Sequence, residues 1–197
     1  GGVGDLIITG KITGSDITSN DTLTLSANGG DVILKKAISA IDALTITSAI
    51  DVSFEESVDI SGSLEIHATG DVNFNQAINL TAGGTLSIVG AKSITFANGV
   101  TVSGNITLDA QSLELLGGAN SLTSTLYGST LTITSASDNH NIVIGNVVGQ
   151  EIAGQLNLTS RDVMAIGDNF IQVVIGEFGF GAITVVGNTD LTSTNAS

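Results

Sequence analysis

Aspartates recur at nearly equal spacing in the first half of the chain, at Asp31, Asp51 and Asp71. Carboxylate oxygens are ligands that Ca²⁺ prefers in proteins. If these residues stack on adjacent parallel strands, about 4.8 Å apart, neighbouring carboxylates repel by roughly 0.9 kcal/mol in water. We therefore predict a calcium site at these three residues, with a solvated turn as the alternative because Asp is a common turn residue. The same positions in later repeats hold residues that do not continue a string of calcium sites: Ser93, Ser112 and Asn141.

Residues that could support catalysis are few. His67 and His140 lie in different repeats, and neither has a serine and an acid in the sequence context of a catalytic triad. Arg161 beside Asp162 is expected to form an ordinary surface ion pair. Enzymes that cleave polysaccharides need paired carboxylates or a basic residue near a metal. The pattern favours a protein without enzymatic activity and with no cofactor besides calcium, and a polysaccharide-active enzyme stays as an alternative.

The composition excludes several classes of protein. The 197 residues include no Cys, which removes disulfide frameworks and thiolate metal sites. Only five Lys and Arg stand against 19 Asp and Glu, for a net charge of −14, so nucleic acid is excluded as a partner. Hydrophobic residues make up 42% of the chain, which argues against disorder. No apolar run reaches the ~18 residues that suggest a membrane span.

An internal repeat positions these residues. Residues 42–61, 62–81 and 82–103 align with their apolar positions in register. The first Leu or Ile of each unit recurs about every 20–22 residues through residue 105 and every 25–27 residues over much of the remainder. These first residues are Leu23, Leu44, Leu64, Leu86, Ile106, Leu131, Leu156 and Ile183.

Within each unit, apolar and polar residues alternate, and the apolar residues are often β-branched, which favours short strands over helices. Repeated strands separated by Gly, Asn and Asp predict an all-β fold, a right-handed parallel β-helix (solenoid) of about eight to nine three-strand coils. It would form one domain over residues 1–197, with regular coils in 1–105 and longer coils in 106–197. An antiparallel sandwich is the structural alternative.

Two columns of like side chains are expected inside this solenoid. One is an aliphatic ladder through Leu44, Leu64, Leu86, Ile106, Leu131, Leu156 and Ile183. The other is an aromatic stack of Phe54, Phe74 and Phe96. The absence of Pro agrees with strands that pair on both edges, because Pro would remove a ladder hydrogen bond.

The repeat resembles those of a known family. Residues 64–84 read LEIHATGDVNFNQAINLTAGG, which is similar to the β-helical repeats of filamentous haemagglutinin-like bacterial adhesins, exported by two-partner secretion. Residues 129–187 resemble a repeat of very large haemagglutinin-like surface proteins. The matching positions there are Leu158, Thr159, Asp162, Val163, Gly167, Phe170, Val173, Ile175, Gly176, Gly181, Ile183, Thr184 and Val185.

The resemblance implies an extracellular or cell-surface rod that mediates attachment, and the chain is expected to be a segment of a longer protein. Its partners would be glycans or proteins on host or neighbouring cells. We expect binding in the insertions of the longer coils, at residues 117–128 and 145–154. A self-assembling extracellular filament or sheath subunit, joined end to end, is the alternative function.

Overall fold

The structure is a computed structural model that describes residues 4–14, 20–136, 140–176 and 181–186. Short segments with alternating buried and exposed side chains form strands throughout these residues, as a period of two requires. The elements in chain order are β1 (Leu6–Ile8), β2 (Ile12–Thr13), β3 (Thr22–Ser26), β4 (Val32–Leu34), β5 (Ile38–Ser39), β6 (Ala43–Ala49), β7 (Val52–Phe54), β8 (Val58–Ile60), β9 (Ser63–Ala68), β10 (Asp71–Phe74), β11 (Ile78–Leu80), β12 (Leu86–Phe96), β13 (Val100–Val102), β14 (Ile106–Leu115), β15 (Leu122–Ser124), β16 (Thr130–Ser135), β17 (Ile142–Asn146), β18 (Leu156–Thr159), α1 (Ser160–Ala165), β19 (Gln172–Ile175) and β20 (Ile183–Val185).

The strands pair in parallel and build a β-solenoid of about five turns with almost no helix. An eleven-stranded sheet follows the order β1-β4-β7-β10-β12-β14-β16-β19, and β3-β6-β9 joins it at β12. A second sheet has the order β15-β13-β11-β8-β5-β2, and a third the order β18-β17-β20. The parallel β-helix prediction is confirmed at this level, and the antiparallel sandwich is wrong.

The finer prediction of eight to nine coils with three separate strands each is not confirmed. β12 continues through a predicted turn: its first residues pair with β9 and its last with β10. A register shift against β14 lies between Ile88 and Ala91, where Gly90 has a φ of 78°. A bulge of this kind lets two strands of one coil join into a single strand.

Like side chains stack on each other inside the solenoid. Val32, Val52 and Val72 occupy one column at directly paired positions, and all are fully buried. The predicted aromatic stack is confirmed, with ring centroids 4.5 Å apart for Phe54 and Phe74 and 5.1 Å apart for Phe74 and Phe96. Each fully buried aliphatic side chain contributes about 1.5–3 kcal/mol, so these columns stabilise the coils along the whole stack.

The predicted aliphatic ladder is confirmed as far as Leu131 and is wrong beyond it. Leu131 pairs with Val173, whereas Leu156 and Ile183 lie on either side of Ile142 in the third sheet. The chain inserts β17, β18 and α1 between β16 and β19 before it returns to the column. β18 has the same Leu-x-Leu pattern as a strand of the main column, so the spacing wrongly placed Leu156 in the aliphatic ladder.

The short helix α1 was not expected from the sequence. Thr159 caps it: its hydroxyl accepts a hydrogen bond from the Asp162 N–H, and the Asp162 carboxylate accepts one from the Thr159 N–H. Asp162 is fully buried and also accepts the Leu115 N–H at 2.8 Å. The predicted ion pair between Arg161 and Asp162 forms, with Nη2 of Arg161 3.9 Å from Oδ1 of Asp162, but it is not a surface pair because Asp162 is buried. Arg161 also pairs with Glu114 on β14. In the described parts of the chain, no helix is long and apolar enough to cross a membrane.

Candidate interaction surface

The predicted aspartate column exists, and hydrogen bonds between coils hold it. The N–H of Asp51 donates to Oδ1 of Asp31 at 3.1 Å, and the N–H of Asp71 donates to Oδ1 of Asp51 at 2.7 Å. The column begins one coil earlier at Asp5 and ends with the Ser93 hydroxyl, which donates to Asp71. Each carboxylate thus satisfies a donor of the next coil at the corner where the strand begins.

The neutral residues of the predicted column differ in their placement. Ser93 pairs with Ser112 in register, so both continue the column. Asn141 lies outside it, beside β17 of the third sheet, where its Oδ1 accepts the Ala182 N–H at 2.7 Å. Among the described residues, no group of three or more His, Cys, Asp or Glu is arranged to hold a metal ion. Calcium at Asp31, Asp51 and Asp71 stays a prediction.

Large exposed apolar side chains are distributed unevenly along the solenoid. Within the described residues, those in the regular coils are Ile7, Ile50 and Val89. Those from residue 116 onward are Leu116, Leu126, Tyr127, Val147, Val148, Ile152, Met164, Ile171, Val173, Ile183 and Val185. Exposed apolar clusters on folded proteins commonly mark interaction sites, so the second half carries the candidate surface.

One cluster lies on the loop between β17 and β18, inside the predicted insertion 145–154. The Gln150 N–H donates to the Val147 carbonyl at 3.0 Å, and Gly149 supplies the positive φ of 86° that this turn needs. The Gly149 N–H donates to the Glu151 carboxylate at 2.8 Å. This bond, with the N–H of Glu151 itself, lowers the pKa of Glu151. The turn thereby presents Val147 and Val148 to solvent.

The side chain of Asn157 holds this loop in place through hydrogen bonds. It is almost completely buried in β18, and its Oδ1 accepts the Ile152 N–H and the Asn146 side-chain amide, each at 2.9 Å. Its Nδ2 donates to the carbonyls of Ile152 and Gln155. The four hydrogen bonds of this one buried amide restrain the loop, which reduces the entropy lost when a partner binds.

A second cluster lies on the turn between β15 and β16, at the end of the predicted insertion 117–128. The buried Ser124 hydroxyl donates to the buried Ser129 hydroxyl at 2.8 Å and accepts the Leu126 N–H at 3.2 Å. Ser129 in turn donates to the Leu126 carbonyl at 2.8 Å. This pair of serines fixes the turn that carries Leu126 and Tyr127, and Tyr127 is 88% exposed.

Sequence reasoning located both insertions but missed the side chains that fix them. Asn157 stands between Leu156 and Leu158 as the polar residue of an ordinary alternating strand, so the sequence carries no signal that it is buried. Ser124 and Ser129 are ordinary turn residues in the sequence, and only their burial distinguishes them.

In comparisons with protein-family models, with curated proteins and with solved structures, nothing matched the chain. The likeness to haemagglutinin-like adhesins therefore depends on the repeat residues and on the β-solenoid fold.

Proposed function

We propose that the chain is a structural and interaction segment of a secreted or cell-surface bacterial adhesin. The uneven distribution of exposed apolar residues carries this proposal. Regular coils with few such residues form a spacer, and the hydrogen-bonded loops at 124–129 and 147–155 carry the surface that meets a partner.

The spacer function follows from the way the coils are joined. Each coil is hydrogen-bonded to the next through parallel ladders, and buried columns of like side chains run through the stack. In such an arrangement each unit contacts its neighbours, which gives an elongated and stiff body. We also propose that the coils wind in a right-handed sense and that residues 1–197 form a single β-helical domain.

The proposed location is extracellular, and the proposed partners are glycans or proteins on host or neighbouring cells. The repeat resemblance and the apolar loops support both. The net charge of −14 suits a body that stays soluble while it exposes apolar residues.

The test compares cell binding by two variants of the chain coupled to beads. Val148→Ser removes an exposed apolar side chain from the 147–155 loop, and Ile50→Ser removes one of similar exposure from a regular coil. We expect Val148→Ser, alone or with Val147→Ser, to reduce bead attachment to epithelial or bacterial cells, while Ile50→Ser leaves it unchanged. Equal attachment by all variants would contradict the placement of the surface, and no attachment by the unaltered chain would contradict the function.

Self-association into a filament is the second candidate, and the edge strands favour it. In the described residues β3 pairs only with β6, and β19 pairs only with β16. Neither strand carries a charged residue, although charges on edge strands are a common protection against further pairing. Sedimentation velocity over a range of concentrations should then show growing species, and a monomer at every concentration would argue against this candidate.

A further inference from the structure

A cleft opens beside the turn that carries Tyr127. Its volume is about 230 Å³, and it is lined by Ser124, Thr125, Tyr127, Asp168, Asn169 and Phe170. Sites for drug-sized ligands occupy roughly 300–1,000 Å³, so this cleft suits a group of about one ring.

The aromatic wall of the cleft is suited to stacking. Tyr127 is the only Tyr of the chain, which has no Trp, and its ring is almost fully exposed. An exposed aromatic face attracts partly apolar ring faces, such as the C–H face of a pyranose, while the phenol hydroxyl can form hydrogen bonds. Phe170 adds a half-buried apolar surface to the cleft lining.

The polar residues of the lining disfavour an anionic ligand. Asp168 and Asn169 add a carboxylate and an amide, planar groups that accept and donate hydrogen bonds to neighbouring hydroxyls. Among the described residues that line the cleft there is no Lys, Arg or His. A phosphate, a sulfate or an acidic sugar would meet a carboxylate without a compensating cation, whereas a neutral polyol would not.

Two inter-segment contacts fix the cleft before any ligand binds. The Gly167 N–H donates to the Leu122 carbonyl at 2.9 Å, which ties the segment before Asp168 to β15. The Ile171 N–H donates to the Ser129 carbonyl at 2.9 Å, which ties the segment after Phe170 to the Tyr127 turn. A cleft whose sides are already joined loses little conformational entropy on binding.

We infer that this cleft binds one unit of a neutral saccharide, with the sugar ring stacked on Tyr127 and its hydroxyls bonded to Asp168 and Asn169. The inference rests on the proposed function, because it names the chemical class of the partner that the adhesive loops contact.

Because the chain has one Tyr and no Trp, tyrosine fluorescence reports on Tyr127 alone. Neutral hexoses and N-acetylhexosamines are titrated into the intact chain while tyrosine fluorescence is recorded, and a saturable change is expected. By calorimetry, Tyr127→Ala should weaken binding about tenfold or more, as truncation of a central aromatic contact commonly does. Tyr127→Phe should retain most of the affinity because it keeps the ring, and Ile50→Ser is the matched exposed control. Circular dichroism of each variant checks that it folds.

Three outcomes of the binding measurements would overturn the inference: no binding of any neutral saccharide, unchanged affinity in Tyr127→Ala, or stronger binding of glucuronate or sialic acid than of neutral sugars. Bead attachment that survives enzymatic removal of cell-surface glycans would overturn the assignment of a saccharide as the adhesive partner and would point to a protein instead. If sugars fail to bind while Val148→Ser still reduces cell attachment, the proposed function stands without this site. If sugars bind but the chain attaches to no cells, the proposed function fails and the saccharide site stands.

Discussion

The backbone N–H of Asp71 donates a 2.7 Å hydrogen bond to Oδ1 of Asp51, the residue directly beneath it in the preceding coil. Asp51 has the same relationship with Asp31. The column is thus an array of side-chain acceptors for main-chain donors, so removing one acceptor affects the next coil.

Asp51→Ala leaves the Asp71 N–H without its acceptor in a half-buried corner. We expect the free energy of unfolding to fall by about 1–3 kcal/mol, as measured by urea denaturation. Asp51→Asn should lower the free energy of unfolding by less, because an amide oxygen can also accept a backbone N–H, as that of Asn141 does from Ala182. Glu56→Ala, at an exposed position, is the control and should change the free energy by less than about 0.5 kcal/mol.

The same variants test the predicted calcium site. If Ca²⁺ binds Asp31, Asp51 and Asp71, Tm should be higher in calcium than in EDTA for the unaltered chain, and Asp51→Asn should reduce this difference. Equal Tm values in the two buffers would contradict the prediction.

Gly70 lies where the aspartate column leaves no room for a side chain. A Cβ at this position would collide with Oδ1 of Asp51 and lie 2.9 Å from the Ile50 carbonyl oxygen. We expect Gly70→Ala to lower stability by about 1–3 kcal/mol, the range for overpacked sites. Gly10→Ala, where a Cβ meets nothing within 4 Å, is the matched control. Equal melting temperatures for the two variants would show that the column relaxes freely.

Asp162 joins α1 to the solenoid through the Thr159 and Leu115 N–H groups. Asp162→Ala should lower the free energy of unfolding by about 2–3 kcal/mol, because hydrogen bonds to a charged group are lost in a buried site. Met164→Ala, on the exposed side of the same helix, should have little effect. Hydrogen exchange gives a local measurement: the Leu115 amide should exchange faster in Asp162→Ala, and unchanged protection would refute this role.

The Glu151 carboxylate accepts the Gly149 N–H, which lowers its pKa, and its own N–H and the Arg161 charge act in the same direction. Because the folded pKa lies below the unfolded one, this stabilisation of the turn is complete above the unfolded pKa. It is lost as pH falls through the folded pKa. We expect carboxyl NMR titration to place the pKa of Glu151 below that of an ordinary glutamate. In Glu151→Gln the Gly149 amide shift should no longer follow pH, and an ordinary Glu151 pKa would contradict the contact.

The sequence was most informative where the repeat has a constant length. Phe54 and Phe74, or Asp51 and Asp71, stand 20 residues apart at paired positions, so aligning the units also aligned the coils. Insertions of different length removed this correspondence after Leu131. The cleft beside Tyr127 joins segments that no repeat period relates, and it depends on the buried Ser129 contact with Ile171. Tertiary contacts of that kind leave no periodic pattern in the sequence, so the repeat could not predict the cleft.

The parallel ladders also determine how the chain responds to tension. Hydrogen bonds between coils lie along the stacking direction, so a pull along that direction loads one coil's bonds at a time and peels the outermost coil first. A regular coil of 20 residues would release roughly 70 Å of extended chain. The solenoid would therefore lengthen in steps under load and dissipate energy at each step. The coils that have not yet been peeled away would stay folded.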